Sequence, residues 1–133
     1  MKKIYLLVVI CIVIFSNTSS AQLTDTKWKG TFYIPDAYEC HMDFKKDTLN
    51  LVIAASGDII ETMKYSLAGD TLTIIKLNGS SPCGDEVGIY TFKINGDKLK
   101  ITLVKDNCGD RSSAGFGNEL TRVPESGAMK KND

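Results

Sequence analysis

The chemically richest short stretch of the chain is DNCGDR, residues 106–111, which holds a cysteine, two aspartates and an arginine. Such groups can bind a metal ion, take part in acid–base catalysis, or join two parts of a chain through a disulfide and an ion pair. The stretch follows an alternating apolar run and contains Gly109, so we expect a turn at a strand end. We interpret it as a covalent staple through Cys108, with Arg111 as a structural residue.

Thiol catalysis is the first alternative, because Cys40 is followed directly by His41, the single histidine. A cysteine nucleophile needs its base within hydrogen-bond reach. Neighbouring residues of a β-strand point to opposite faces, so these two side chains cannot readily meet. No other set of acid, base and nucleophile has a workable geometry. The sequence therefore predicts no catalytic residues and no enzyme.

Metal binding is the second alternative. Asp85, Asp106 and Asp110 could offer oxygen ligands to calcium near the proposed staple, but their spacing is not that of an EF-hand loop. Aspartates beside glycine are commonly turn residues. A structural zinc site needs four ligands, mostly cysteine and histidine. After a disulfide has formed, only one cysteine and one histidine would remain. We expect neither a metal site nor a cofactor.

The N-terminus predicts export. Two lysines precede the apolar run 4–15 and the polar stretch SNTSSA follows it, which is the order of a secretory signal peptide. The run has 12 residues, whereas a membrane-spanning helix needs roughly 20. We therefore expect cleavage after Ala21, no remaining membrane anchor, and a secreted or periplasmic protein. In such an oxidising space two of Cys40, Cys83 and Cys108 should pair.

The charge balance excludes nucleic acid as a partner. Without residues 1–21 the chain has 14 basic and 16 acidic residues, a net charge of −2. Nucleic-acid binding rewards clustered lysine and arginine, and no such cluster is present. No run of like charge favours an anionic membrane surface either.

Alternating apolar and polar residues, with turns every 8 to 13 positions, predict an all-β domain over 22–124. Gly-Asp occurs five times, each time at or near the end of an apolar run. Short connections make neighbouring strands antiparallel. We expect an eight-stranded up-and-down barrel, with a two-sheet sandwich as the alternative and residues 125–133 as a disordered tail. The predicted strands are 26–34, 38–45, 49–55, 60–67, 71–77, 87–94, 98–105 and 117–123.

The turns also predict which residues face each other. A two-residue turn at Asn95-Gly96 pairs Phe92 with Leu99, and extending that register places Cys83 opposite Cys108. The same hairpin pairs Tyr90 with Ile101 and Gly88 with Leu103. Around KKDT, Cys40 lies opposite Ile53 and points inward, as a buried free thiol. Around AGD, Tyr65 lies opposite Ile74.

One end of the predicted interior is polar. Glu61, Lys76 and Asn78 share the inward parity of their strands, while the rest of that face is apolar. An apolar lining with a few polar groups is typical of small-molecule sites. Tyr90 and Phe92 would then line the site, unless they serve the core alone. The competing interpretation is that these polar strand ends simply meet solvent.

Four segments of the chain resemble the short, exported bacterial lipocalin-like proteins of the calycin group: TKWKGTF, YSLAGDTLTI, the stretch from CGDEVGIYTF to KDNCGDR, and LTRV. The resemblance covers most of 23–123 and implies a ligand-binding barrel. It also implies that Trp28 packs against an arginine from the end of the chain, either Arg122 or Arg111. The chain departs from many lipocalins in having Thr26 where they have glycine. LTRV is also similar to the last strand of fatty-acid-binding proteins, whose arginine meets a ligand carboxylate, which makes Arg122 a candidate ligand-binding residue.

Two functions follow from this reasoning. The first is an exported, non-enzymatic barrel that binds a small hydrophobic or amphipathic molecule. The second is a protein-interaction barrel, such as an exported protease inhibitor, whose interior is solid and whose rim contacts a protein partner. The presence or absence of an interior cavity separates them.

Overall fold

The computed structural model describes residues 23–124. The predicted signal peptide and the predicted C-terminal tail lie outside the described residues. Within residues 23–124, no helix has the length and apolar character needed to cross a membrane.

The chain forms a closed barrel of eight antiparallel strands in sequence order. Strand β1 closes the barrel on β8, where Trp28 lies opposite Arg122 and Lys29 opposite Thr121. This confirms the predicted up-and-down barrel and excludes the sandwich. One short helix, α1, precedes the last strand and was not expected. The strands are β1 Lys27–Tyr33, β2 Ala37–Phe44, β3 Thr48–Ile53, β4 Ile59–Ala68, β5 Thr71–Gly79, β6 Gly88–Asn95, β7 Lys98–Asp106 and β8 Glu119–Arg122, and α1 spans Gly109–Ser113.

Two of the three predicted hairpin registers are present. Cys40 lies opposite Ile53 in the β2–β3 pair, and Tyr65 lies opposite Ile74 in the β4–β5 pair. Each of these hairpins turns through a short polar connection that leaves little freedom for slippage. Cys40 is a buried free thiol, as expected.

The β6–β7 register is wrong in the sequence prediction. Phe92 lies opposite Ile101, and Ile94, not Phe92, lies opposite Leu99. The turn is centred on Gly96 and Asp97, with a positive φ of 58° at Gly96 alone. A two-residue turn with positive φ only at its first central position is of the II′ kind, which places glycine first. The shift is by an even number, so each residue keeps its face.

Two further expected partners in this pair are wrong: the shifted turn changes the partner of Tyr90, and a bulge also changes that of Gly88. Tyr90 lies opposite Leu103 rather than Ile101, and Gly88 lies opposite Asp106 rather than Leu103. The register shifts between Ile89 and Tyr90, because β7 has an extra residue there. Leu103 is 46% exposed and does not join the core.

The inward faces of the strands form one core. Trp28, Tyr65, Phe92 and Ile101 are all buried in it, so the parity predicted from four different strands holds. The segment after α1 adds one buried aromatic side chain that was not expected, Phe116. Its ring lies 6.0 Å from that of Phe32 and 5.3 Å from that of Tyr90. The Phe116 side chain covers part of one end of the barrel and lines the space that remains there.

Candidate functional site: a cavity at one end of the barrel

A cavity of 470 Å³ lies at the end of the barrel where β1 runs to β2, β3 to β4, and β5 to β6. Its apolar wall includes Ile34, Leu51, Met63 and Phe116. Strand parity turns the side chains of β3 and β4 inward, while Phe116 reaches the cavity from the segment after α1. The barrel therefore has a half-open cavity at this end.

Two charged residues in the cavity wall are buried. Glu61 on β4 exposes 8% of its surface and Arg111 on α1 exposes 5%. A buried charge is costly unless it is paired or hydrogen-bonded. Each of these two residues therefore needs partners close by, and each has them in a different part of the wall.

Glu61 is held by the loop that follows β5. Its carboxylate accepts hydrogen bonds from the backbone N–H of Ser81 at 3.2 Å and from the Ser81 hydroxyl at 2.6 Å. Lys76 Nζ lies 4.0 Å from Glu61 Oε1 and donates to the Ser81 carbonyl oxygen at 2.6 Å. The predicted proximity of Glu61 and Lys76 is present, and together they fix the 80–82 loop over the cavity.

Asn78 does not join this group. The β4–β5 register shifts between Thr62 and Met63, which places Asn78 opposite the outward-facing Thr62. Leu77 is the extra residue of the bulge, so parity reverses after Lys76. Asn78 is exposed, and its predicted inward position is wrong. Gly79 takes the place opposite Glu61, with a φ of 143° that favours glycine.

Arg111 belongs to a buried network with Asp106 and Tyr90. Arg111 Nε donates to Asp106 Oδ2 at 2.7 Å, and Nη2 donates to Asp106 Oδ1 at 2.7 Å and to the Glu86 carbonyl oxygen at 2.7 Å. The Tyr90 hydroxyl donates to the same carboxylate, and so does the backbone N–H of Cys108, at 2.9 Å. This bidentate pair fixes α1 against the end of β7.

The network shifts the acidity of its members. Burial by itself would raise the pKa of Asp106, but hydrogen bonds from Arg111, Tyr90 and Cys108, with the charge of Arg111, hold that pKa below its ordinary value. Burial, followed by the hydrogen bond to Asp106, raises the pKa of Tyr90. The arrangement thus keeps Asp106 ionised and Tyr90 protonated as a hydrogen-bond donor.

Cys83 and Cys108 form a disulfide, with their Cα atoms 5.6 Å apart. The predicted pairing is confirmed, and the DNCGDR stretch is a staple. The bond joins the end of the 80–82 loop to the start of α1, two neighbouring segments that both line the cavity. A disulfide is consistent with an oxidising compartment.

The opposite end of the barrel holds the tryptophan and arginine pair. The Arg122 guanidinium lies 4.5 Å from the Trp28 ring centroid, and Trp28 Nε1 donates to Thr26 Oγ1 at 2.8 Å. Arg122 therefore stacks on Trp28, whereas Arg111 does not take that role. None of the three residues lies in the cavity wall. Arg122, predicted as a ligand-binding residue, is separated from the cavity by the core.

Tyr90 and Phe92 also lie outside the cavity wall. Both are core residues, and Tyr90 is linked to the site through its hydrogen bond to Asp106 and its ring contact with Phe116. Sequence reasoning instead missed Arg111, Ser81 and Phe116 as cavity residues. Arg111 could have been found, because it belongs to the DNCGDR stretch of chemically reactive residues. No feature of the sequence around Ser81 or Phe116 marks these two as cavity residues.

Within residues 23–124, no three His, Cys, Asp or Glu side chains are grouped so that they could hold a metal ion. Asp106, one of the calcium candidates, is engaged by Arg111. Cys40 is buried on the inner face, where burial, with the charge of Glu39, raises the pKa of its thiol. A raised pKa makes a thiol less nucleophilic at neutral pH, because less of it is thiolate.

The chain matches no protein-family model, no curated protein and no solved structure. Its function has to be inferred from the cavity and from the charged groups in its wall.

Proposed function

We propose that this protein is an exported, lipocalin-like barrel that binds a small hydrophobic or amphipathic molecule in the cavity at the Phe116 end. The observation that carries the proposal is the composition of that cavity: an apolar wall with two buried charged residues, Glu61 and Arg111. Small-molecule sites have this composition, and their volumes run from about 300 to 1,000 Å³. The cavity of 470 Å³ falls in this range.

Two further observations support the lipocalin-like and exported parts of the proposal. The stacking of Arg122 on Trp28 is the pair that the resemblance to the calycin group implied. The Cys83–Cys108 disulfide agrees with a secreted or periplasmic location. No catalytic step is part of the proposal.

The test is saturable binding of 1-N-phenylnaphthylamine, a neutral apolar fluorophore, to the purified protein. Ser113→Trp places bulk in the cavity wall and should weaken binding at least fivefold. Ser112→Trp is the matched control, because Ser112 is the neighbouring residue of α1 and does not line the cavity. Absence of saturable binding, or equal binding by both variants, would contradict the proposal. Native mass spectrometry of protein from its own source would show a retained molecule directly.

The second candidate is a protein-interaction barrel, such as an exported protease inhibitor. Two consecutive exposed apolar side chains on β7 favour it, Leu103 and Val104. Replacing Val104 by lysine should then abolish inhibition of a target protease and leave fluorophore binding unchanged. The cavity makes this the weaker candidate, since a barrel that acts only through its surface needs no interior space.

A further inference from the structure

The hydrogen-bonding capacity of the cavity wall is unevenly used. Glu61 receives two hydrogen bonds from Ser81 and faces the ammonium group of Lys76. Its charge is therefore matched, and its oxygen atoms already have donors.

Arg111 is only partly satisfied. A guanidinium group has five N–H donors. The one on Nε and the two on Nη2 are used by Asp106 and by the Glu86 carbonyl oxygen. Within residues 23–124, Nη1 is buried and has no hydrogen-bond partner. A buried donor left without an acceptor is destabilising, and more so when the group is charged, so an acceptor that reaches Nη1 would be favoured.

The charge of Arg111, by contrast, is already balanced. Both carboxylate oxygens of Asp106 lie 2.7 Å from its nitrogen atoms. The wall and its immediate partners carry three carboxylates, on Glu61, Asp106 and Asp110, against Lys76 and Arg111. A ligand carboxylate bound against this wall would lose part of its hydration, which is unfavourable, and would enter a region that is already net negative.

We propose that the ligand is a neutral amphipathic molecule whose polar head carries a carbonyl or amide oxygen. Arg111 is a residue of the cavity wall, and its Nη1 would donate to this oxygen after a small movement of the wall, because Nη1 itself has almost no accessible surface. This inference rests on the proposed function. An anionic head group would offer Arg111 a negative charge, which Asp106 already supplies. A cationic head would compete with Lys76 for Glu61. The apolar wall formed by Leu51, Met63 and Phe116 would take the hydrocarbon part.

The test compares probes of similar size by isothermal titration calorimetry with the disulfide-bonded protein at pH 7: octanamide, octanoate, octylammonium, and butylbenzene, which has no such acceptor. Octanamide should bind at least tenfold more tightly than octanoate and octylammonium. Octanoate binding as tightly as octanamide would overturn the inference and leave the proposed function intact. If none of the four probes binds, the proposed function itself fails.

Variants locate the contact. Arg111→Met alone leaves Asp106 buried without its partner, so the variant of choice is the double substitution Arg111→Met/Asp106→Asn, which removes both charges together. It should weaken octanamide binding about tenfold and leave butylbenzene binding within threefold. Asp43→Asn/Lys45→Met is the matched control, since it also removes an ion pair but one that lies outside the cavity wall; its octanamide affinity should stay within threefold. An octanamide affinity that survives the double substitution would refute the assignment to Arg111, and the comparison of probes on the unaltered protein decides the ligand class even if the double variant does not fold.

Discussion

Removal of the disulfide should destabilise the protein by an amount set by the length of chain that it closes. Cys83 and Cys108 are 25 residues apart in sequence. In the chain-entropy model a loop of this length is worth about 3.5 kcal/mol at 25 °C, because the cross-link restricts the unfolded chain. Small domains have total stabilities of about 5 to 15 kcal/mol. The bond therefore supplies a large share of the stability of this one.

The perturbation is the double substitution Cys83→Ala/Cys108→Ala, which leaves no unpaired thiol at the site. A loss of about 3.5 kcal/mol corresponds to a Tm lower by about 14 °C for a domain of roughly 100 residues. Urea denaturation followed by the fluorescence of the buried Trp28 gives the free energy of unfolding, and calorimetry gives Tm. The unaltered protein should lose the same amount on addition of a reductant, and the double variant should not respond to it.

Cys40→Ala is the control, because Cys40 is buried on β2 and forms no disulfide. This variant should lose some packing energy but keep the full response to reductant. The stabilisation assigned to the disulfide is refuted if the free energy of unfolding of the double variant lies within about 1 kcal/mol of that of the unaltered protein. It is also refuted if the unaltered protein keeps its stability in a reductant that mass spectrometry shows to have reduced the disulfide. Reduction should also weaken ligand binding, since the bond joins two segments of the cavity wall.

Three other predictions concern single residues. Asp106→Asn should cost about 3 to 5 kcal/mol at pH 7, because it leaves the buried Arg111 without its counter-charge. The pKa of Asp106 is lowered in the native state, so its contribution is present above the ordinary aspartate pKa of about 3.9 and is lost as the pH falls through the native pKa. The difference in the free energy of unfolding between the variant and the unaltered protein, measured by urea denaturation, should therefore become smaller below about pH 4. A difference that does not change with pH would contradict the lowered pKa. Trp28→Ala should destabilise by about 3 to 5 kcal/mol, because the ring is fully buried; a loss under about 1 kcal/mol would place the ring outside the core. Gly79→Ala should cost more than about 1 kcal/mol in thermal denaturation, because φ is 143° and the new methyl group would meet the Glu61 carboxylate, whereas Gly109→Ala, with open space around it, should change stability by less than about 0.5 kcal/mol. Equal effects of the two alanines would argue against the close contact at Gly79.

The candidate site could be predicted only in part. Glu61 and Lys76 were identified because simple alternation holds along β4 from Glu61 onward and along β5 as far as Lys76, before the β-bulge at Leu77. Asn78 follows the bulge, and its orientation was therefore predicted wrongly. Arg122 was predicted both as a partner of Trp28 and as a ligand-binding residue. The stacking on Trp28 is present, whereas the ligand contact stays a prediction, since Arg122 lies outside the cavity and lines a second pocket at the opposite end of the barrel.

The sequence by itself determined the number and order of the strands and the inward face of the core residues within them. It also led to the pairing of Cys83 with Cys108, although through a hairpin register that the structure corrects. Alternation is a property of the extended backbone, and it can be read from neighbouring residues alone. Only the tertiary structure decided the register of β6 against β7, the bulge in β5, and the path of α1. Those features depend on contacts between distant parts of the chain, such as Phe116 with Phe32 and Arg111 with Asp106 and Glu86. The cavity is the space that those long-range contacts leave, which is why no local pattern marks it.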